Sequence, residues 1–211
     1  MVRVERATPP ARTDALECAA RAVLTLLSDP RSSGDGEWAA AIRAWEDARI
    51  RKVVRRARGA AWERATQLPG ITVAQSTAEV RVFPPVPVDE WPPDLAKLQV
   101  AGTDFTDPEP PHPPPPGSAV LWITPEIAMT AGKAMAQAGH AAQLGWWELS
   151  PAERFAWKES EFDLSVRTAA PGQWAELVTS GLTLVTDGGF TEVAPGSKTV
   201  VADLRALGAA R

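Results

Sequence analysis

The sequence predicts an α/β protein: a four-stranded mixed sheet with helices on both faces, preceded by a mainly helical N-terminal region. Three observations predict it. Beyond residue 118, short apolar runs alternate with stretches of helical periodicity, the pattern of a sheet covered on both sides. Ahead of residue 107 the longest periodic stretches are helical. Between these parts, residues 107–117 read DPEPPHPPPPG, and seven of the eleven are proline. Such a tract donates almost no backbone hydrogen bonds and adopts an extended polyproline form, so it marks a linker or surface strap. The expected division is therefore 1–106, a linker at 107–117, and 118–211.

In the first part, Asp14 to Leu27 has a helical pattern, and Asp29-Pro30-Arg31-Ser32-Ser33-Gly34 forms a turn. A longer helix is expected from Glu37 to Gln67, where Ile50, Val53, Val54, Ala57 and Ala61 recur at helical spacing. Leu68-Pro69-Gly70 stops it. Two extended runs follow, Ile71–Gln75 and Glu79–Phe83, and Pro84-Pro85 ends the second. A short helix is expected near Asp94–Leu98.

After the linker, Ala119–Ile123 (AVLWI) is a buried strand and Thr130–Trp147 a helix. Pro151–Ser160 reads as a helical turn, and Phe162–Arg167 alternates as a strand. Pro171–Thr179 is a helix closed by Gly181, a residue suited to the left-handed position after a helix. Leu182–Val185 and Thr199–Ala202 are the third and fourth strands. Strands joined through helices pair in parallel by right-handed crossovers. The link from third to fourth strand holds no helix, so that pair is expected antiparallel and the sheet mixed.

Composition limits the function classes. Hydrophobic residues make up 45% of 211, enough for a core. One cysteine, Cys18, rules out an intramolecular disulfide and suits a reducing cytoplasm. With two histidines and one cysteine no dedicated zinc site is expected, and no other cofactor is implied. No apolar run is long enough to span a bilayer, and no secretory signal is read at the N-terminus. The net charge of -4 means that any nucleic-acid site is a local patch of cations.

Two segments carry the candidate chemistry. In the first, Met129-Thr130-Ala131-Gly132-Lys133 opens a helix with Thr130 as its N-cap. A capping box would place Glu or Gln at position 133. Lysine there opposes the helix dipole by ~0.3–1 kcal/mol, which points to a purpose other than folding. Free amides at a helix start beside one lysine form a seat for an anion or a developing oxyanion. Lys133, Gln137, His140 and Leu144 share one helix face, and Ala134, Ala138, Ala141 and Gly145 let a sheet approach the other. The polar stripe is thus expected to face a groove. A phosphate-binding loop is excluded by Ile127 and Ala134, and no Gly-x-Ser-x-Gly elbow exists. The second segment runs Asp187-Gly188-Gly189-Phe190-Thr191-Glu192 and on to Thr199. Asp187 lies at a strand carboxyl end, where α/β proteins bind ligands.

Together the two segments resemble type 2 peptidyl-tRNA hydrolases. That family carries Lys-Met-Gly-Lys-Gly-Lys, small residues, Ala-Gln, two further residues and His-Ala-Ala. Here the chain reads Ala128-Met129-Thr130-Ala131-Gly132-Lys133, then Ala136-Gln137-Ala138-Gly139-His140-Ala141-Ala142. Near its end the family has Asp-Ala-Gly-x-Thr, two residues, and Ala-Pro-Gly-Ser/Thr-x-Thr-Val. Here the match is Asp187-Gly188-Gly189-Phe190-Thr191, then Ala194-Pro195-Gly196-Ser197-Lys198-Thr199-Val200. Both spacings match without gaps, and the matched region spans somewhat under half the chain.

The resemblance implies hydrolysis of the ester joining a peptide to the 3′ ribose of tRNA, on a four-stranded mixed sheet flanked by helices. Position by position it assigns catalysis to Lys133, Asp187 and Thr191, and substrate contact to Gly132, Gln137, His140 and Thr199. On this reading Asp187 and Thr191 orient a water, and Lys133 with the helix start stabilises the oxyanion. His140 protonates the leaving ribose oxygen or holds geometry. The partner would be peptidyl-tRNA, and family members often form homodimers. Ala128 and Ala131 replace two family lysines, which weakens phosphate binding. Arg51, Lys52, Arg55, Arg56 and Arg58, in adjacent rows on the expected helix, offer a compensating grip on the tRNA backbone. Trp45 and Trp62 are expected to pack against the C-terminal half. Two alternatives stand beside this reading: a non-catalytic RNA- or protein-binding relative, and a hydrolase of another acylated tRNA.

Overall fold

In the computed structural model, which describes residues 1–189 and 192–208, the chain is α/β with two four-stranded mixed sheets. The N-terminal half contributes β1 (Val2–Arg3), α1 (Arg12–Ser28), α2 (Ala39–Asp47), β2 (Arg56–Ala57) and α3 (Gly59–Thr66). A hairpin, β3 (Ile71–Gln75) and β4 (Ala78–Val82), and the one-turn α4 (Pro93–Ala96) complete it. Its sheet has the order β2-β1-β4-β3. Helices make up most of the regular structure of this half, but a sheet joins them, and its two shortest strands gave no sequence signal.

The expected helix Glu37–Gln67 is the main correction. It is two helices separated by residues 48–58, with Ile50 at φ 38, a conformation that a β-branched residue rarely adopts. Backbone pairing explains the break. Val2 N donates to Arg55 O at 2.8 Å, Val4 N to Ala57 O at 2.9 Å, and Arg56 N to Gln99 O at 2.9 Å. An extended segment bonded on both sides satisfies its amides as fully as a helix would. The helical spacing of Val53, Val54 and Ala57 therefore has no helix behind it: Ala57 is buried, and Val53 is exposed.

The C-terminal half runs β5 (Ala119–Ile123), α5 (Ala131–Glu148), α6 (Pro151–Glu159), β6 (Leu164–Thr168), α7 (Pro171–Thr179), β7 (Thr183–Thr186), β8 (Lys198–Asp203) and α8 (Arg205–Gly208). The strand order is β6-β5-β8-β7. β5 pairs with β6 in parallel, and β8 is antiparallel to both β5 and β7, so the mixed sheet is as expected. Pro151–Ser160 is more than a turn: Ser150 and Glu153 form a capping box that starts a nine-residue helix.

Helices cover both faces of this sheet. α5 lies on one face, where Ala134, Ala138 and Ala141 join Leu121, Val185 and Val200 in the core. Gly145 permits the approach: a Cβ there would stand 2.5 Å from Leu204 Cδ1. α7 lies on the other face, with Trp174 and Leu177 against Val201.

The two halves share one core. α1 packs on α5 and buries Leu16, Ala20 and Leu24 in the cluster that holds β5 and β8. Polar groups of α1 also close the outer edge of β6. Glu17 accepts from Val166 N at 3.1 Å and from Arg167 at 2.6 Å, and Arg21 donates to Leu164 O at 2.8 Å. An edge strand that would otherwise offer unpaired backbone groups is thereby covered. Trp62 packs within the N-terminal half, with Ala57, Ala65, Leu95 and Leu98, and not against the C-terminal half as expected. The proline tract runs over the surface, and His112 lends only its carbonyl, to Arg167 at 2.7 Å. No helix among the described residues is long and apolar enough to cross a membrane.

Candidate active site

Topology brings the two segments together. β5 and β7 are each antiparallel to β8, which lies between them, so their carboxyl ends point the same way. The chain leaving β5 enters α5 through Thr130, and the chain leaving β7 becomes Asp187. Thr199, at the start of β8, lies at the same end of the sheet.

Asp187 is the hub. Its Oδ2 accepts from Lys133 Nζ at 2.6 Å and from Gln137 Nε2 at 2.5 Å. Its Oδ1 accepts from Gly189 N at 2.7 Å. Thr199 Oγ1 donates to Gln137 Oε1 at 2.7 Å, which fixes the Gln137 amide with its nitrogen towards Asp187. Lys133, Gln137, Asp187 and Thr199 thus form one network, as expected. The Lys133 and Asp187 side chains are 9% and 8% exposed, so this pair does not line an open groove. Burial acts to raise the pKa of Asp187, but the Lys133 ammonium and the Gly189 and Gln137 hydrogen bonds outweigh it. The carboxyl is held below its ordinary value and is ionised at neutral pH.

The turn itself depends on one glycine. Gly189 has φ +76, and a Cβ there would lie 2.4 Å from Pro195 Cγ and 2.5 Å from Pro195 N. Asp187 N donates to Ser197 O and Gly196 N to Asp187 O, each at 2.8 Å, which closes the base of the turn. Thr191, the third expected catalytic residue, lies outside the described residues.

The start of α5 departs from expectation. Its amides are not free. Ala131 N donates to Asp104 Oδ1 at 3.0 Å, Gly132 N to Thr103 O at 2.9 Å, and Lys133 N to Thr130 Oγ1 at 3.3 Å. Thr130 Oγ1 in turn donates to Glu192 Oε1 at 2.7 Å. A segment of the N-terminal half therefore occupies the anion seat, and Gly132 offers no amide to substrate. Asp104 supplies the negative charge that a helix start favours. Ala131 is fully buried under this segment, so a lysine at that position has no room.

His140 meets a residue that the sequence assigned elsewhere. Lys52, expected on an exposed RNA-binding row, is half-buried against α5. Its Nζ bonds Gln143 Oε1, lies 3.4 Å from His140 Nδ1 and 3.3 Å from Ile50 O, and stands over the Trp45 ring. Burial, and then the Lys52 charge, push the His140 pKa down to about 3, and burial lowers that of Lys52 well below its ordinary value. His140 is neutral at physiological pH, so an imidazolium acid is not available from it. Gln143, fully buried and bonded to Lys52, is a polar member of the site region that the stripe analysis missed. Its spacing of three from His140 was a readable signal.

The remaining cations do not form helical rows. Arg55 donates to Leu98 O at 2.5 Å and stacks on Trp91, and Arg56 donates to Gln99 Oε1 at 2.6 Å. Both tie down residues 96–99. Arg51 and Arg58 are exposed on either side. The compensating RNA grip loses its geometric basis. Among the described residues no group of His, Cys, Asp and Glu has the arrangement of a metal site.

The pH behaviour of His140 gives a first expected outcome. The unfolded chain takes up a proton there near pH 6.5, and the folded chain does so only near pH 3. Stability therefore falls as pH drops through this interval, by up to about 1.4 kcal/mol per pH unit. His140→Gln is expected to flatten the decline between pH 6.5 and 4, measured as the midpoint of urea unfolding. An unchanged slope would place the titrating group elsewhere.

No protein-family model matches the chain, and no curated protein matches it.

Proposed function

We propose that the chain hydrolyses the ester bond of peptidyl-tRNA, releasing the peptide and free tRNA. The observation that supports this reading is the network of Lys133, Gln137, Asp187 and Thr199, from two segments 50 or more positions apart, in which Lys133 and Gln137 meet the Asp187 carboxylate and Thr199 holds Gln137. An ionised carboxylate offers about four acceptor sites. Donors among the described residues fill three of them, two on Oδ2 and one on Oδ1, and the proposed water donates to Oδ1. Asp187 orients that water towards the ester carbonyl carbon and takes up part of its proton in the transition state. Water oxygen bonds to the carbonyl carbon, the bond to the ribose 3′ oxygen breaks, and the proton passes to that oxygen. Lys133 stabilises the oxyanion as the Asp187 charge is neutralised.

A second reading, a non-catalytic relative of the same fold, is favoured by the occupied helix amides at Ala131, Gly132 and Lys133. An assay with purified protein separates the two. N-acetyl-aminoacyl-tRNA is expected to be hydrolysed at least about 10-fold faster than the free aminoacyl-tRNA, because a peptide-like amide carries no charge to desolvate in a covered site. Equal rates would instead indicate a hydrolase of another acylated tRNA, and absence of both the non-catalytic module.

A further inference from the structure

The N-terminal half holds a cavity that the hydrolase reading does not use. Its volume is about 1150 Å³, slightly above the roughly 300–1,000 Å³ typical of small-molecule sites. Small residues make the room: Ala40 and Ala44 on α2, Ala48 just after it, Ala22 on α1 and Gly139 of α5 all line it. The mouth is apolar, with Val53, Val86 and Val88 exposed at 44%, 41% and 76%.

Its charged groups are of one sign. Among the described residues no Asp or Glu lines the cavity, whereas Lys52, Arg55 and Arg81 do. The backbone brings the two arginines close: Val2 N bonds Arg55 O, and Arg81 N bonds Met1 O, each at 2.8 Å, so they flank one short strand. Both guanidinium groups rest on neutral partners. Arg55 donates to the carbonyls of Ala96 and Leu98, and Arg81 to Leu68 O and Thr72 Oγ1. No carboxylate among the described residues stands against either, and burial lowers both of their pKa values. Cations beside an apolar wall with no counter-charge favour an anion there.

We infer that this cavity binds a long-chain carboxylate, with its head against the charges of Arg55 and Arg81 and its chain along the alanine-lined walls. Physical chemistry selects this class. A small inorganic anion meets the cations and leaves the apolar walls wet. A neutral hydrocarbon fills the walls and leaves the cations without a counter-charge. A peptide carries amides and carbonyls that these walls do not satisfy. An apolar chain with one planar anionic head meets both requirements, and guanidinium groups suit such a head.

The test is calorimetric titration of the full chain with sodium dodecanoate below its micelle concentration. One saturable site per chain is expected, with no binding of dodecyltrimethylammonium, which has the same chain and the opposite charge. Arg81→Gln is expected to weaken binding about 10-fold or more. Ala44→Phe, at an exposed position that fills the cavity without burdening the fold, is expected to weaken it by a similar factor. Three results would overturn the inference. One is no saturable binding. Another is equal binding of the cationic analogue, or no effect of either substitution. The third is a dimer that covers the cavity and dissociates in Ala44→Phe. Peptidyl-tRNA plays no part in the titration, so this inference and the hydrolase reading fail separately.

Discussion

Asp187→Asn is expected to slow peptidyl-tRNA hydrolysis by about 10²–10⁴-fold, the range lost when a positioned acid–base group is removed. The asparagine is nearly isosteric, so the turn keeps its shape. Its neutral carbonyl still accepts one hydrogen bond, but it carries no charge to share with Lys133 and cannot take a proton from water. Stability falls as well, because the Lys133 ammonium loses its counter-charge at 2.6 Å. The low end of such losses applies, about 3 kcal/mol, since Gly188 and Glu192 beside the pair are open to water. Rate measurements well below the unfolding temperature, with circular dichroism on the same samples, separate the two effects. A folded variant with wild-type turnover would remove Asp187 from the mechanism.

Gly189→Ala is expected to reduce turnover by about 10²-fold while costing about 1–3 kcal/mol of stability. Two independent constraints meet at this position, the positive φ and the Pro195 ring within 2.5 Å. The added methyl group must move the turn, and the first casualty is the Gly189 amide bond to Asp187 Oδ1. Loss of that bond removes one of the groups that hold the carboxyl ionised, so the Asp187 pKa rises towards its ordinary value. The expected signature is an acid limb of the pH–rate profile displaced to higher pH. A variant that unfolds at lower temperature but keeps both rate and profile would show that the turn is structural only.

Much of the C-terminal half was legible in the sequence. Its strands are short apolar runs, its helices have clear caps, and the absent helix between β7 and β8 announces an antiparallel pair. Lys133 and Gln137 were legible as one face of a regular helix and Asp187 as the residue at a strand end, whereas Thr199 was assigned only through the resemblance to type 2 peptidyl-tRNA hydrolases. The N-terminal half was less so. A two-residue strand such as Val2–Arg3 has no periodicity, and its pairing with Arg56–Ala57 joins residues 54 apart. That non-local pairing broke the expected helix and turned a surface row of cations into a half-buried lysine and two tethered arginines. The occupied start of α5 was hidden for the same reason, since Thr103 and Asp104 lie in an unpatterned stretch just ahead of the proline tract.

On the proposed reading, a lysine-held carboxylate at the end of β7 hydrolyses the ester on tRNA. Release of N-acetyl-phenylalanine from N-acetyl-phenylalanyl-tRNA by the full chain, with folded Asp187→Asn as the blank, tests it most directly. Repeated turnover by the wild type, with the blank slower by about 10²-fold or more, is the predicted result. No release by a correctly folded wild type, or equal release by both proteins, would contradict it.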